Sequence, residues 1–399
     1  MNTQGTRVHI GLWHKEFWLM AIANLLLSMA VTMLIPTLPI WLKEALLFDS
    51  QQVGLVMGSF ALGLFLPGAF CSFLVQQYRR NKVFLICVLV LAASMTLPFF
   101  KLHVPHLFAL ILVWRILQGS AFGLAQMVLT STLIIDTCES HQRTEANYSA
   151  TWFGRFALSL GPLAGLLLMQ LSGMIVPSSI PASSMSTLNV FFLALVCCVA
   201  SAVMVSFIRF PFRIPEDHLH VMSLDRFFLT SGWTLFVNLF LVTASIGLLM
   251  SLPVPADAYG MVMVGFLLAL LAQRFVFCDA ELKSEVISGL LLMGASLIIL
   301  MTARYSPLTT PILGLGLGLV GGRFLLFFIK LSRHCQRGTS QSTFMLGWES
   351  GLAVGVGIGY YIFNGRMTEM LMVALLLDVA ALLMYVCWTH RWFLEHKNR

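Results

Sequence analysis

Long runs of apolar residues follow one another along the whole chain, separated by short polar segments. Twelve of these runs are about 20 residues long, the length that a helix needs to cross a hydrocarbon core of about 30 Å. The apolar residues within a run are continuous rather than alternating, so the pattern excludes the strands of a membrane barrel. The sequence therefore predicts an all-α integral membrane protein with twelve transmembrane helices, near residues 17–42, 52–76, 83–100, 106–135, 146–172, 187–208, 226–250, 257–277, 285–303, 307–331, 342–364 and 369–390.

The composition agrees with a chain that lies almost entirely in a lipid bilayer. Of the 399 residues, 58% are hydrophobic and 10% are charged, and the mean hydropathy is +0.88. Soluble globular proteins carry about a quarter charged residues. Because the connections between the runs are short, they leave no room for a soluble catalytic domain, and an enzyme is not expected.

The basic residues are distributed unevenly between the connections. If both termini are cytoplasmic, seventeen lysines and arginines lie on the cytoplasmic side and four lie on the other. Basic residues are retained on the cytoplasmic side of membranes, so this bias predicts cytoplasmic termini, and a bacterial inner membrane is the expected location. The net charge of +7 reports this topology, and no nucleic-acid partner is expected. No metal or cofactor site is expected, because the histidines and cysteines are scattered along the chain.

The longest polar connection, RFPFRIPEDHLHVMSLDR at 209–226, divides the chain into two equal sets of spans. It predicts an amino-terminal six-helix bundle at 1–208, a cytoplasmic linker at 209–225 and a carboxy-terminal six-helix bundle at 226–399. Features shared by the two bundles indicate an internal repeat, which is typical of secondary transporters.

Polar residues repeat at every fourth position in the first and seventh spans, so each set lies along one helix face. The first set is Asn24, Ser28 and Thr32, and the second is Thr230, Thr234 and Asn238. Such stripes either line an aqueous cavity or join neighbouring helices by hydrogen bonds. Their matching positions in the two bundles favour the cavity.

The fourth span contains an arginine, Arg115, well inside the hydrocarbon region. An unpaired cation there costs about 2.5–3.5 kcal/mol on insertion scales, so a polar group must offset that cost. Gln118, Gly119 and Gln126 fall near the same helix face as Arg115. We interpret Arg115 as a functional residue, with a structural ion pair or carbonyl contact as the alternative.

Four further charged residues lie away from the ends of predicted spans: Arg155, Arg323, Glu349 and Asp378. Arg323 and Glu349 are placed at similar depth in consecutive spans, which predicts a salt bridge between them. The alternative is that Glu349 exchanges protons, because a buried carboxyl group responds to the distance of a nearby arginine. Asp378 is a second candidate for this role. Arg115 and Arg155 in a cavity with few acids would instead suit an anionic or neutral substrate.

Two spans carry glycine at every fourth position, which gives each a flat helix face. The rows are Gly314, Gly318 and Gly322 in the tenth span, and Gly347, Gly351, Gly355 and Gly359 in the eleventh. Such faces allow helices to slide during transport, and they serve static close packing equally well.

Two motifs resemble signatures of the major facilitator superfamily, and both occur in the corresponding spans. RILQGSAFG at 115–123 resembles the fourth-span pattern Arg-x-x-Gln-Gly, and LGPLAG at 160–165 resembles the fifth-span Gly-Pro-x-x-Gly of antiporters. The resemblance covers the whole chain and implies the major facilitator fold, with two pseudo-symmetric six-helix bundles. It implies proton coupling by Arg115, and a helix bend at the interface between the halves formed by Gly161, Pro162 and Gly165.

A third signature of the family is altered. Between the second and third spans the family reads Gly-x-x-x-Asp-Arg-x-Gly-Arg-[Arg/Lys], whereas this chain reads SFLVQQYRRNK at 72–82. The acid of the pattern is replaced by Gln76. In the family this loop forms an inside gate through charge pairing, so the resemblance implies that gating here relies on other contacts.

These observations predict a monomeric secondary transporter that binds a small-molecule substrate and works by alternating access. Proton-coupled efflux by an antiporter of the plasma membrane is the expected activity, with protons as the coupling partner and no cofactor. Uptake or facilitated diffusion of a small metabolite or anion is the alternative within transport. A transport-inactive membrane sensor is the alternative of another class.

Overall fold

The computed structural model describes residues 11–100, 105–138, 142–175, 182–208, 220–278, 280–303, 308–333 and 336–397. Within these ranges the chain is helical and contains no strand. The long helices are α1 Lys15–Glu44, α2 Ser50–Gln77, α3 Arg80–Phe99, α4 Leu107–Leu133, α5 Arg143–Gly173, α6 Ser186–Ser206, α7 Thr230–Met250, α8 Ala256–Phe275, α9 Leu282–Thr302, α10 Thr309–Leu331, α11 Arg337–Ile358 and α12 Met367–His396.

Eleven of these helices are long and apolar enough to cross a membrane. The exception is α11, which has 22 residues and continues through a π-helical turn at Gly359–Phe363. It is less apolar because a run of five polar residues, from Thr339 to Thr343, lies in its first turns, and all five are buried against neighbouring helices. The predicted twelve-helix fold is therefore confirmed in the number and position of its helices.

Short polar contacts at the helix ends define two faces of the bundle. The terminal face, where α1 begins and α12 ends, also holds the start of α11, where Thr339 Oγ1 accepts a hydrogen bond from the backbone nitrogen of Arg226 at 2.9 Å. At the opposite face, α2 begins with a capping box, in which the side chain of Asp49 accepts from Gln52 N at 2.7 Å. The side chain of Ser50 there contacts that of Asn364, just beyond α11.

The helix pairings recur with an offset of six helices, as two related bundles require. Helix α1 packs against α5 and α2 against α4, and likewise α7 packs against α11 and α8 against α10. The two halves meet mainly where α2 packs against α11 and where α5 packs against α8. The predicted linker, 209–225, lies mostly outside the described residues, and its last residues lie against α2, where Ser223 N donates to Ala69 O at 2.9 Å.

Both glycine rows face helices of their own half. A Cβ atom on Gly355 would lie 2.3 Å from the carbonyl oxygen of Ala244 in α7, and one on Gly314 would lie 2.4 Å from that of Val262 in α8. These distances are shorter than any real carbon contact, so the rows allow close packing inside the carboxy-terminal bundle. In α11, Gly357 lies between the members of the row and approaches Gly58 in α2 of the other half.

Candidate functional site

A narrow cavity lies between α1, α2 and α4 of the first half and α11 of the second, and its empty space is about 350 Å³ when the open mouth is included. Its charged lining residues are Arg115 and Glu349, one from each half. The polar residue Thr32 also faces it, and the rest of the lining is apolar and includes Val31, Ile35, Met57, Phe60, Leu352 and Val356. The structure thus brings together two of the charged residues that the sequence singled out, although they come from different halves.

Arg115 is held by neutral groups. Its side chain is 2% exposed, and Nη1 donates a hydrogen bond to Gln118 Oε1 at 2.7 Å. Gln118 in turn donates to the sulfur of Met95 at 3.6 Å. The guanidinium carbon lies 4.5 Å from the centre of the Phe60 ring, within the range of a cation–π interaction. Among the described residues, Nε of Arg115 has no hydrogen-bond partner.

Glu349 lies in the middle of α11 and keeps part of its surface open to the cavity. In the described part of the chain, neither a hydrogen bond nor an ion pair holds its carboxylate. Arg115 and Glu349 therefore face the same space without forming a salt bridge of 4.0 Å or less.

The predicted salt bridge between Arg323 and Glu349 is wrong. Arg323 instead pairs with Glu285 of α9, whose carboxylate is fully buried, whereas Arg323 is 14% exposed. Arg323 projects from α10 toward α9, while Glu349 projects from α11 toward the first half. Depth along a helix follows from sequence position, whereas the neighbour that a side chain meets depends on packing.

Glu285 belongs to a polar chain that crosses between the halves. Its Oε1 accepts a hydrogen bond from Gln273 Nε2 of α8 at 2.7 Å, and Tyr148 OH of α5 donates to the other end of the Gln273 amide. Glu285 is not predicted from the sequence, because it stands at the start of its predicted span, where a charge is expected to reach water. The sequence feature that could have indicated this residue is a glutamate within the first turn of a spanning helix.

Arg155 is buried between the halves, away from the cavity residues. It is 3% exposed, and Nη2 donates to the carbonyl oxygen of Gly321 in α10 at 2.5 Å. Its guanidinium carbon lies 5.0–5.2 Å from the ring centres of Trp152, Phe344 and Trp348. Three aromatic faces and one carbonyl thus offset the cost of burying this cation, which joins α5 to α10 and α11.

The polar stripe of α1 mainly joins helices. Asn24 Nδ2 donates to Ala150 O of α5 at 2.9 Å, and Gln126 Nε2 of α4 donates to Ser28 Oγ at 2.7 Å. Thr32 lines the cavity, but its hydroxyl donates to the carbonyl of Ala157 in α5 at 2.7 Å. The structure therefore places this stripe at the contact between α1, α4 and α5.

The stripe of α7 is likewise directed away from the cavity. Asn238 Nδ2 donates to the carbonyl of Ala381 in α12 at 2.9 Å. Thr234 is buried, and Thr230 is exposed at the start of the helix. None of the three residues lines the space between Arg115 and Glu349.

The glycines of the two family motifs face helices of the first half. A Cβ atom on Gly161 would lie 2.2 Å from Thr32 Oγ1, one on Gly165 would lie 3.2 Å from Met33 O, and one on Gly119 would lie 2.3 Å from Phe60 O in α2. Helix α5 runs through Pro162 without interruption. Gly161 and Gly165 therefore point at α1, and the helix bend at the interface between the halves stays a prediction. Other residues of α5 reach α8, and among them is Ser159, whose hydroxyl donates to Tyr259 O at 2.5 Å.

Asp378 lies outside the cavity. It is 2% exposed, and its Oδ2 would lie 3.1 Å from a Cβ atom on Gly294, which places it between α12 and α9. Within the described ranges its Oδ1 has no hydrogen-bond partner. The structure thus does not bring Asp378 together with Arg115 or Glu349.

A second, apolar cavity lies toward the opposite face, mainly between α7, α8 and α10, and its empty space is about 710 Å³ when the open mouth is included. Its lining includes Ile246, Leu249, Met250, Val262, Leu313 and Leu317. No sequence pattern could have indicated this cavity, because leucine, isoleucine, valine and methionine fill helix contacts just as often.

Comparisons with known proteins agree with this architecture. The family model of the Major Facilitator Superfamily matches residues 20–356. The chain is 25% identical over 132 residues to the quinolone resistance protein NorA of Staphylococcus aureus (strain MRSA252), and this alignment covers 33% of the chain and 32% of NorA.

Two solved structures illustrate the shared fold. The human organic anion transporter MFSD10 (TETRAN) superimposes with a TM-score of 0.66 at 16% sequence identity, covering 93% of this chain and 99% of MFSD10. The E. coli fucose:proton symporter FucP superimposes with a TM-score of 0.63 at 13% identity, covering 92% and 97%. The family match extends over most of the twelve-helix bundle described above. The chain therefore belongs to the major facilitator superfamily and is a multi-pass membrane protein.

Proposed function

We propose that the protein is a secondary active transporter that exports its substrate in exchange for protons. In this proposal residues 1–208 rock against residues 226–399 about the linker at 209–225, within one monomer in a bacterial inner membrane and with both termini cytoplasmic. The observation that supports it best is the shared cavity, in which Arg115 of one half faces the same space as Glu349 of the other. A site that spans both halves changes its surroundings whenever the halves move.

Contacts between the halves lie on both sides of this cavity, as an intermediate of alternating access requires. Toward the terminal face, Gln341 Nε2 of α11 donates to Thr151 Oγ1 of α5 at 2.6 Å. Toward the opposite face, a Cβ atom on Gly54 of α2 would lie 2.6 Å from the carbonyl oxygen of Gly357 in α11. Rocking would break one set of contacts while the other holds, so that the cavity opens to one side at a time.

Glu349 is the proposed proton carrier. Ionisable residues within membrane spans commonly face cavities and mark ion or proton pathways. Glu349 faces the cavity and has no fixed partner among the described residues, unlike Glu285, which is held by Arg323. A carboxylate without a fixed partner can bind and release a proton as its access to water changes.

Uptake or facilitated diffusion of an anion is the second candidate. It is favoured by the N–H groups of Arg115 and Arg155 that have no acceptor in the described part of the chain. A desolvated guanidinium binds carboxylate and phosphate groups strongly. The direction of flux under an imposed gradient separates this candidate from efflux.

The test is transport in sealed proteoliposomes of known orientation, under an imposed pH gradient and with radiolabelled compounds of each charge class. We expect flux against the substrate gradient that is abolished by a protonophore and by Glu349→Gln. Exchange of labelled for unlabelled substrate should survive in Glu349→Gln, because exchange needs binding and rocking but no net proton movement. Glu369→Gln, which removes an exposed carboxylate of the same chain, is the matched control and should behave as wild type.

Persistence of gradient-driven flux in Glu349→Gln, in protein that elutes as wild type on size exclusion, would remove Glu349 from proton coupling. Flux that ignores the protonophore would instead support facilitated diffusion.

A further inference from the structure

The two charged residues of the cavity have opposite signs and do not form an ion pair. Arg115 is a cation from α4, and Glu349 is an anion from α11. No ion pair of 4.0 Å or less joins them among the described residues, so a gap separates the groups. Unlike charges that share a poorly hydrated space attract each other strongly. A group that carries both signs would satisfy them in the gap without bringing the helices closer.

The available atoms fix how such a molecule would bind. Gln118 occupies Nη1 of Arg115, and the Phe60 ring covers one face of the guanidinium, which leaves the edge that carries Nε for an acceptor. The Glu349 carboxylate, which lines the same cavity, forms no ion pair with a described side chain. The cavity therefore offers donors at one end and acceptors at the other.

The wall between these two ends is apolar. Met57 and Phe60 line it from α2, and Leu352 and Val356 line it from α11. The hydroxyl of Thr32 is already used by the Ala157 carbonyl, so it adds no free polar group. A short hydrocarbon body would bury its apolar surface here, which is favourable because that surface leaves water.

We infer that this cavity binds a zwitterion, with a carboxylate at Arg115, an ammonium group at Glu349 and an apolar body between them. This inference deepens the proposed function and rests on its site. A simple anion would satisfy Arg115 but place Glu349 beside a like charge or leave it unpaired, and a simple cation would do the same to Arg115. An uncompensated charge in a desolvated site is strongly unfavourable, which is how the site would discriminate.

Three compounds with one skeleton test the inference: 4-(aminomethyl)benzoate, which carries both charges, 4-methylbenzoate, which is an anion, and 4-methylbenzylamine, which is a cation. Binding to the purified full chain in detergent is measured by isothermal titration calorimetry at neutral pH. We expect the zwitterion to bind at least about tenfold more tightly than either matched compound, which corresponds to about 1.4 kcal/mol.

Single substitutions then assign each end of the ligand. Glu349→Gln should remove the advantage of the zwitterion over 4-methylbenzoate, and Arg115→Gln should remove its advantage over 4-methylbenzylamine. The exposed pair Arg366 and Glu369 supplies matched controls. Arg366→Gln changes the net charge as Arg115→Gln does, and Glu369→Gln changes it as Glu349→Gln does. Both control variants should leave the preference for the zwitterion unchanged. If Arg115→Gln does not fold, Arg115→Lys retains the positive charge and should keep the preference for the zwitterion.

Equal affinity for the zwitterion and either singly charged compound would overturn the inference, and so would binding of none of the three to folded protein. The binding data also separate this inference from the proposed function. A missing zwitterion preference together with proton-driven transport of another compound leaves the proposed function intact. A clear preference without proton-driven flux contradicts proton coupling alone.

Discussion

At the scale of single residues, two glutamates within the membrane spans, Glu285 and Glu349, differ in whether their carboxylates have a partner. Arg323 and Glu285 form a buried ion pair, whereas Glu349 faces a cavity without a partner among the described residues. Removing one member of a buried pair leaves an uncompensated charge and typically costs about 3–5 kcal/mol. We therefore expect Glu285→Ala to lower the thermal unfolding midpoint in detergent much more than Glu349→Ala does.

A double-mutant cycle measures the pairing itself. We expect the effects of Arg323→Ala and Glu285→Ala on the free energy of unfolding to be strongly non-additive, because the second substitution removes a charge that has already lost its partner. The effects of Arg323→Ala and Glu349→Ala should add within about 0.5 kcal/mol, as is usual for residues that share no contact. Additive effects for Arg323 with Glu285, together with non-additive effects for Arg323 with Glu349, would contradict this prediction. They would instead support the ion pair between Arg323 and Glu349 that the sequence predicts.

At the scale of helices, the glycine row of α11 serves packing within one half. Gly355 lies where a Cβ atom would be 2.3 Å from the Ala244 carbonyl and 2.9 Å from Gly247 Cα, so even alanine must push α7 and α11 apart. Inserting a carbon into a well-packed contact typically costs about 1–3 kcal/mol. We expect Gly355→Ala to lower the unfolding midpoint, measured by thiol-dye or scattering-based melting of the purified protein.

Gly173 provides the control for this prediction. It lies at the exposed end of α5, where no atom is within 4 Å of an added Cβ. Because alanine has the higher helix propensity, Gly173→Ala should leave the midpoint unchanged or raise it slightly. A similar loss in both variants would mean that the loss at Gly355 is not caused by the contact with α7.

At the scale of the whole molecule, transport requires the halves to separate at the opposite face. Lys43 Nζ at the end of α1 lies 5.2 Å from the ring centre of Tyr360 at the end of α11. Cysteines at these two positions, joined by a bifunctional methanethiosulfonate reagent, should reduce flux to background because the link prevents opening. Cleavage of the link by a reducing agent should restore flux.

Each single cysteine variant treated with the same reagent is the control for this experiment, and the exposed native Cys278 and Cys387 are first replaced by serine. Flux that continues in the linked double variant would show that the opposite face stays closed during transport, which is incompatible with rocking of the two halves.

Several features of this protein follow from the sequence alone. Runs of about 20 apolar residues determine where the helices lie, because only a helix satisfies its own backbone groups inside a bilayer. The cost of an intramembrane charge drew attention to Arg115 and Glu349, and both face the candidate cavity. These properties are local, since they depend on composition over one helix.

The tertiary structure decided which residues meet. Arg323 pairs with Glu285 rather than Glu349, the stripe headed by Asn24 contacts α4 and α5, and Gly161 faces α1. Sequence spacing gives the depth of a side chain and its position around its own helix. Which neighbour that side chain contacts depends on how twelve helices rotate and pack together, because the rotation of each helix is set by the summed contacts of all its faces.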